Sequence, residues 1–417
     1  MPSDDAQAAP AALARRHGSG FWSVAFAFLI VSAFATLPSP LYGLYRARDD
    51  LSAFTVTVVY AIFAAGTVTT LLRVDSIAAR IGRRGVMLAA VVTMMAAAAL
   101  LAAWKDLPGL LAGRLLTGVS VGLAAGTAIP YLIELGVRKD PNAPVARART
   151  IGTSVNVGSL GIGPLVAGCL AQWARQPLTL SYLLWIALGA IALVGLVTAP
   201  ETGARGPQAT TKRQSTGSPP SARIPIPAAA ATLAAFAANG LFAGLSGLFL
   251  ATTLHRPSHA LAGATLFLVF AAGVISQLAT ARLQASRVFA LGTISMLVGL
   301  ALLVTAVRLS TPSLALFLIG GTLIGAGAGA VFKGTTGLVL EAAAHENRVA
   351  LTSALLIALF VGLSIPVIGA GVALDQGATA PDTVLGFAII VGLAVAASGW
   401  ALLGRRPRSS QNERMRA

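Results

Sequence analysis

The sequence predicts an all-α integral membrane protein of twelve transmembrane helices in two pseudo-symmetric six-helix bundles, with both termini cytoplasmic. Three observations predict this fold: an apolar composition, twelve long apolar runs, and a repeat that relates the two halves of the chain. Of the 417 residues, 56% are hydrophobic and 11% are charged, whereas a soluble domain carries roughly 25% charged residues. Such a chain cannot cover a water-facing surface, so most of its surface faces lipid.

The composition also excludes several kinds of protein and site. The single cysteine, Cys169, excludes an internal disulfide and a cysteine-rich metal site. The net charge of +16 does not indicate nucleic-acid binding, because the basic residues form short clusters between apolar runs. Residues 1–20 lack a short apolar core with a cleavage site, so we expect a disordered cytoplasmic tail here and no signal peptide.

Twelve apolar runs are long enough to cross a bilayer, which takes about 20 mostly apolar residues in a helix. In the first half, the predicted spans lie at 21–45, 54–74, 86–104, 109–133, 149–173 and 181–199. In the second half, they lie at 226–252, 260–281, 288–307, 313–341, 350–373 and 384–403. Because twelve is even, both termini lie on the same side of the membrane.

The basic residues set the orientation. With the termini inside, the inner loops and tails hold 22 of the 30 arginines and lysines, and the outer loops hold six. Arg114 and Lys333 lie within spans. Cytoplasmic loops carry such an excess, so we expect both tails, at 1–20 and 404–417, in the cytoplasm. Arginine outnumbers lysine 26 to 4, which indicates a GC-rich genome and a bacterial inner membrane.

A linker and a repeat divide the chain into halves. Residues 200–224 are rich in Gly, Pro, Ser and Thr, which is typical of a flexible linker, here between bundles at 21–199 and 225–403. A shift of 207 residues carries Phe63-Ala-Ala-Gly66 onto Phe270-Ala-Ala-Gly273, and Gly118, Gly122, Glu134 and Arg80 onto Gly325, Gly329, Glu341 and Arg287. Paired halves are typical of transporters, because rocking one on the other opens a central site to each face in turn.

The loop after the second span reads Asp75-Ser-Ile-Ala-Ala-Arg80-Ile-Gly82-Arg83-Arg84. It resembles a motif of the major facilitator superfamily. The family's pattern is Gly, three residues, Asp, a basic residue, any residue, Gly and two basic residues. Asp75 and Ala79 stand where the pattern has Gly and Asp, and Asp75 is the candidate substitute from one turn earlier. The resemblance implies a cytoplasmic gate loop; alternatively, these arginines are only topology anchors.

Two further spans resemble family motifs. The fifth span contains Ser159-Leu-Gly161-Ile-Gly163-Pro164-Leu-Val-Ala167-Gly168. It resembles the Gly-Pro-x-x-Gly-Gly motif typical of the superfamily's antiporters, especially twelve-helix drug exporters, with Ser159 and Ala167 in place of glycines. Ordinary packing glycines are the alternative. The fourth span resembles the family in having Arg114 followed by Gly118 and Gly122, and such glycines let helix backbones approach closely.

Polar side chains within spans are the candidate substrate-cavity residues: Arg114, Lys333, Asn239, Asn156 and Tyr42. A charged residue within a membrane usually faces a cavity. The alternative for Arg114 and Lys333 is snorkelling to the membrane surface. For the two asparagines it is hydrogen bonding between helices, and for Tyr42 it is an interfacial aromatic position.

None of the 14 acidic residues lies in the middle of a span. Selection of cations by a buried carboxylate is therefore not expected, and anionic or neutral substrates suit the cavity better. Glu134 and Glu341 lie at inner helix ends, where their equivalence suggests a shared structural role rather than a proton relay. Proton coupling should then be weak, or should pass through Lys333 or Asp75.

The chain offers no enzyme signal. Gly325-Ala-Gly327-Ala-Gly329 lacks the strand that precedes a dinucleotide loop. His255 and His259 have the spacing of a helical metal pair, but Pro257 lies between them, so we expect them to be solvated. No cofactor and no metal site are predicted.

The sequence therefore predicts a secondary active transporter that works by alternating access. We expect a monomer that exports small amphipathic organic compounds, such as drugs or natural products. Its partners would be a small-molecule substrate, the lipid bilayer and, as candidate coupling ions, protons, without nucleic acid. The alternatives are a uniporter or importer of a small organic anion, and a non-transporting sensor or scaffold of the same fold.

Overall fold

The computed structural model describes residues 4–202, 224–344 and 347–404. Every regular element in these ranges is helical, and twelve spans are long and apolar enough to cross a membrane. The predicted all-α fold class is thus confirmed. Residues 203–223 of the predicted linker and 405–417 of the predicted C-terminal tail lie outside the described ranges.

The spans are numbered in chain order. Span 1 has three pieces: the helix Asp4–Thr36, a 3₁₀ turn Ser39–Leu41 and the helix Tyr42–Asp49. Spans 2 to 6 are the helices Ala53–Leu71, Val74–Ala103, Leu107–Lys139, Val145–Trp173 and Pro177–Thr198. Spans 7 to 12 are the helices Ile226–Thr252, His259–Ala279, Ala285–Arg308, Leu314–Ala342, Arg348–Asp375 and Ala380–Gly404.

Span 1 differs from its prediction at the start. Its helix begins at Asp4, so the expected disorder is wrong for residues 4–20. Six of the nine residues from 6 to 14 are alanine, the strongest helix former, which explains a helix in a segment without membrane-like hydropathy. The break in its outer half follows from Pro38 and Pro40, because proline lacks the backbone N–H that continues a helix.

Helix packing repeats between the two halves. In the first half, span 1 packs on spans 4, 5 and 6, span 4 also packs on spans 2 and 3, and span 3 packs on span 6. The second half repeats every one of these pairs, with spans 7 to 12 in place of spans 1 to 6. The most extensive contacts between the halves join span 2 to span 11 and span 5 to span 8, which are also equivalent pairs.

Two glycines of the repeat lie at close contacts between helices. A Cβ atom on Gly118 of span 4 would fall on the backbone oxygen of Phe63 in span 2. A Cβ atom on the equivalent Gly325 of span 10 would fall on the backbone oxygen of Val269 in span 8. Both positions therefore require glycine, as is typical of close contacts between membrane helices.

Candidate functional site

The predicted gate loop, residues 75–84, lies within span 3, where a turn at Gly82 separates a short first helix from the long helix that follows; the φ of 78° and ψ of 167° at Gly82 favour glycine. The turn places the N–H groups of Arg83 and Arg84 at the start of the continuing helix. Glu201, which follows span 6, accepts both: Oε1 lies 3.0 Å from Arg83 N and Oε2 lies 3.2 Å from Arg84 N. A helix N-terminus carries unpaired N–H donors and partial positive charge, so the Glu201 carboxylate caps span 3 from a distant part of the chain.

Side chains extend this contact into a network at the predicted cytoplasmic end. Arg83 Nε donates to both carboxylate oxygens of Glu134 at 2.9 Å, and Nη2 lies 2.9 Å from Oε1. Glu134 also accepts from the Thr202 hydroxyl at 2.6 Å. Arg138 donates to the carbonyl oxygens of Glu201 and Thr202 at 3.4 and 3.0 Å. We call these five residues the inner network; it joins the loop to the ends of spans 4 and 6.

The other predicted gate residues lie at the edge of the inner network. Arg80 and Asp75 are exposed, and Asp75 lies in the first turn of the short helix that precedes Gly82. Sequence reasoning missed the contact of Glu201 with the loop, although Pro200-Glu201-Thr202 resembles the family's end of the first half. The contact joins residues 118 positions apart, so no local spacing indicates it.

Glu341 does not share the surroundings of its equivalent Glu134. It is exposed, and within the described part of the chain it forms no ion pair. The shift of 207 residues places Ala290 at the position of Arg83, so the second half lacks the arginine that would pair with it. The shared structural role that was expected for the two acids is therefore not found.

Arg114 is buried inside the first half, with 1% of its surface exposed. It donates from Nη1 to Ala35 O at 2.6 Å and from Nη2 to Tyr60 O at 3.1 Å. Ala35 lies in the last turn of its helix, where carbonyls lack an intrahelical donor. The guanidinium carbon also lies 4.9 Å from the ring centroid of Phe63, within cation–π range. Arg114 therefore does not snorkel; it ties span 4 to spans 1 and 2, without an ion pair to any described carboxylate.

Lys333 binds the end of a helix. Its Nζ donates to Gln277 O at 2.6 Å and to the Thr280 hydroxyl at 3.3 Å, where span 8 ends and a positive charge is favourable. Asn239 is 2% exposed, and its Oδ1 has no hydrogen-bond partner among the described residues. Asn156 is also buried. A buried unpaired acceptor is uncommon, so Asn239 can accept a hydrogen bond from a bound compound.

The Gly-Pro segment of span 5 packs at the boundary between the halves. A Cβ atom on Gly161 would lie 3.0 Å from the Cα of Phe267 in span 8. Gly168 and Pro164 also contact span 8 closely, whereas Gly163 packs against span 1. Three of the four residues of this motif thus lie at a surface that must change when the halves move relative to each other.

Hydrogen bonds join the halves at the predicted outer end. The N–H of Phe54, in span 2, donates to Asp375 Oδ1, at the end of span 11, at 3.2 Å. Gln172 Oε1, at the end of span 5, accepts from the N–H of His259 at 3.1 Å and from Ser258 Oγ at 3.2 Å. Both pairs of facing spans are therefore tied at the same end.

The expectation that His259 is solvated is wrong. The side chain is half-buried, and its Nδ1 lies 3.1 Å from Pro40 O in the broken part of span 1. A carbonyl oxygen can only accept, so Nδ1 carries a proton and donates. His255 is exposed, as predicted. His259 and Pro40 are 219 positions apart. The sequence around Pro257 therefore does not indicate that span 8 starts against span 1.

Comparison with known proteins places this geometry in a family. The profile of the Major Facilitator Superfamily matches residues 24–287, and no curated protein matches the sequence. Among solved structures, 298 chains match. One is a crystal structure of the nucleoside transporter NupG, with a TM-score of 0.67 and 10% identity over 93% of this chain and 99% of that chain. The family profile matches more than half of the residues, and this chain therefore belongs to the Major Facilitator Superfamily.

Proposed function

We propose that this multi-pass membrane transporter exports small amphipathic organic compounds, neutral or anionic, across a bacterial inner membrane by alternating access. Membership of the family makes the chain a secondary transporter of a small molecule rather than an enzyme. The observation that carries the proposal of export is the span 5 segment. This segment resembles the motif of the superfamily's antiporters. Three of its residues, Gly161, Pro164 and Gly168, contact span 8 across the boundary between the halves.

The positive-inside distribution supports the orientation in which the hydrogen bonds between the halves lie on the outer side. In that orientation these hydrogen bonds hold the two halves together on the outer side. Single cysteines in a Cys169→Ser background test this orientation. Ser310→Cys lies in the exposed loop between spans 9 and 10, and Asn142→Cys lies in the exposed loop between spans 4 and 5. In intact cells, a membrane-impermeant maleimide should label the first variant and not the second; the reverse pattern would invert the orientation.

The charge of the site supports neutral or anionic substrates. The Arg114 guanidinium is a cation, and no described carboxylate forms an ion pair with it. A cation near Arg114 would be repelled inside a medium of low dielectric constant. The unpaired Oδ1 of Asn239 supplies an acceptor for a neutral hydroxyl or amide group.

Uptake into everted membrane vesicles tests export directly. Vesicles that contain the full-length chain should accumulate a labelled amphipathic carboxylate or a neutral analogue more strongly than an amphipathic cation. Nucleosides belong in the same panel, because the nucleoside transporter NupG shares the fold. Uptake by right-side-out vesicles alone would indicate import, and binding without uptake in either kind of vesicle would favour a sensor or scaffold.

A matched pair of glycine variants links export to span 5. Gly161→Val places two methyl groups against span 8, whereas Gly369→Val, in the equivalent span 11, enters open space with nothing within 4 Å of the new Cβ. The first variant should slow uptake at equal expression, and the second should not. Equal rates in both variants would leave span 5 as ordinary packing and remove the support for an antiporter.

Coupling to protons is the weakest expected effect. Collapse of the pH gradient should slow export only modestly, because no acid lies in the middle of a span. Lys333→Gln should remove the remaining pH dependence. Strong proton-driven accumulation that survives both Lys333→Gln and Asp75→Asn would contradict this and require a different proton carrier.

A further inference from the structure

A cavity of about 250 Å³ lies between the two halves at the predicted outer end, and neither Asn239 nor Arg114 lines it. It is enclosed by the broken part of span 1, the start of span 2, the outer half of span 7 and the start of span 8. Thr252 and Pro257 line it and are exposed, so a ligand can enter from the predicted outer side. Pockets for drug-sized ligands measure about 300–1,000 Å³, so this cavity suits a compound of about one ring.

Two buried hydroxyl groups in the cavity wall lack partners. Ser39 is 8% exposed and Tyr42 is 4% exposed, and both line the cavity. Neither Ser39 Oγ nor Tyr42 Oη has a hydrogen-bond partner among the described residues. Buried polar atoms are normally paired, so these hydroxyls are available to a ligand. The proline-rich break of span 1 interrupts the regular helix here and places both hydroxyl groups in the cavity wall.

The charge in the cavity wall is positive. Arg46 lines the cavity, and its Nε donates to Leu51 O at 3.0 Å, which holds the guanidinium while both of its NH₂ groups keep free donors. His259 lines the same cavity. None of the described residues in the wall is acidic. The remaining wall is apolar and includes Val56 and Leu248.

We propose that this cavity binds a small aromatic or aliphatic carboxylate. Arg46 would pair with the carboxylate, the hydroxyls of Ser39 and Tyr42 would donate to it, and Val56 and Leu248 would cover the apolar body. Hydrogen bonds that join charged groups are stronger than neutral ones, and the apolar wall favours a ligand whose carboxylate carries an apolar body. The site goes beyond the proposed export function: it is a second ligand site, and its occupancy does not depend on the direction of transport.

Binding of labelled benzoate to the detergent-purified full-length protein tests the site, with benzamide as the neutral analogue. Benzoate should bind saturably, and benzamide at least about tenfold more weakly, as the loss of one charge-assisted hydrogen bond implies. Arg46→Gln should weaken benzoate binding by about tenfold or more. Arg48→Gln is the matched control, because Arg48 is exposed, pairs with Asp106 at 2.6 Å and does not line the cavity.

A second variant keeps every polar group and removes only the space. Gly247 lines the cavity, and a Cβ there would have only Ala262 Cβ nearby, at 3.9 Å, so Gly247→Leu should fill the cavity and abolish binding without loss of fold. Absence of benzoate binding by the wild type, or wild-type binding by both Arg46→Gln and Gly247→Leu, would overturn the proposal. Because detergent-purified protein needs no gradient, failure of export in vesicles would leave this result unaffected.

Discussion

The predicted cytoplasmic ends of the two halves differ in their polar contacts. In the first half, Glu134 pairs with Arg83 and Glu201 caps span 3. In the second half, Glu341 is exposed and Ala290 replaces the arginine. Helix packing, by contrast, repeats pair by pair. The repeat has therefore kept the apolar architecture of both halves but the polar network of only one.

This difference indicates that the two halves use different means to hold their inner ends. The first half links a loop, span 4 and span 6 through side chains that are 26% and 33% exposed in the Arg83–Glu134 pair. Such pairs are weak one by one, but here several share partners. The loop between spans 8 and 9 is a short turn without the helix that precedes Gly82. Motion of the inner end should thus depend on the first half more than on the second.

The largest expected effect tests the part of the comparison that is symmetric. Gly118→Leu and Gly325→Leu each force a side chain onto a backbone carbonyl of the adjacent span. Both should lose about 3 kcal/mol or more of stability, since overpacking typically costs 1–3 kcal/mol and backbone cannot move aside. Thermal unfolding in detergent measures it, with Gly369→Leu as the control in open space. A large loss in only one half would show that packing is asymmetric too.

A smaller expected effect tests the inner network, which differs between the two halves. Glu134→Gln should lower stability by about 1 kcal/mol, because it removes the negative charge that pairs with Arg83 and one of the two acceptor oxygens that Arg83 and Thr202 share, in a partly exposed site. It should also slow transport at equal expression. Glu341→Gln should change stability by less than about 0.5 kcal/mol, as is usual at an exposed surface position. Equal effects of the two substitutions in the same unfolding and transport assays would contradict the comparison.

The smallest expected effect tests whether the missing arginine accounts for the difference between the two halves. Ala290→Arg supplies the second half with an arginine at the position equivalent to Arg83. An exposed pair of this kind should add about 0–1 kcal/mol. A double-mutant cycle with Glu341→Gln isolates the pair from other effects of the new side chain. The same stability change with and without Glu341 would mean that the two positions do not meet in the second half as they do in the first.

The sequence predicts the apolar part of the fold well, because hydropathy and the repeat report directly on spans and close helix contacts. The break of span 1 at Pro38 and the turn at Gly82 also follow from local chemistry. The helix at residues 4–20 is not predicted from hydropathy, because this segment is polar and only its alanine content favours a helix. Contacts between distant segments, such as Glu201 with Arg83 or His259 with Pro40, depend on the tertiary arrangement, and no local pattern indicates them.

The polar side chains within spans illustrate the same limit. That Arg114 avoids lipid follows from the cost of a charge in a membrane, but its partners, Ala35 O and Tyr60 O, are backbone atoms that no residue type marks. Lys333 gives the same sequence signal as Arg114, yet it caps the end of span 8. Only the fold distinguishes the two.

Locking the outer end tests the central claim of export by alternating access most directly. In a Cys169→Ser background, Thr57→Cys and Gly371→Cys place two thiols in contact across spans 2 and 11, where a Cβ on Gly371 would touch the Thr57 side chain. Our account predicts that oxidation abolishes uptake of the amphipathic carboxylate into everted vesicles and that reduction restores it; the reduced double variant is the reference, because a side chain at Gly371 crowds Thr57 even without a cross-link. Undiminished uptake by the fully cross-linked protein would contradict the account.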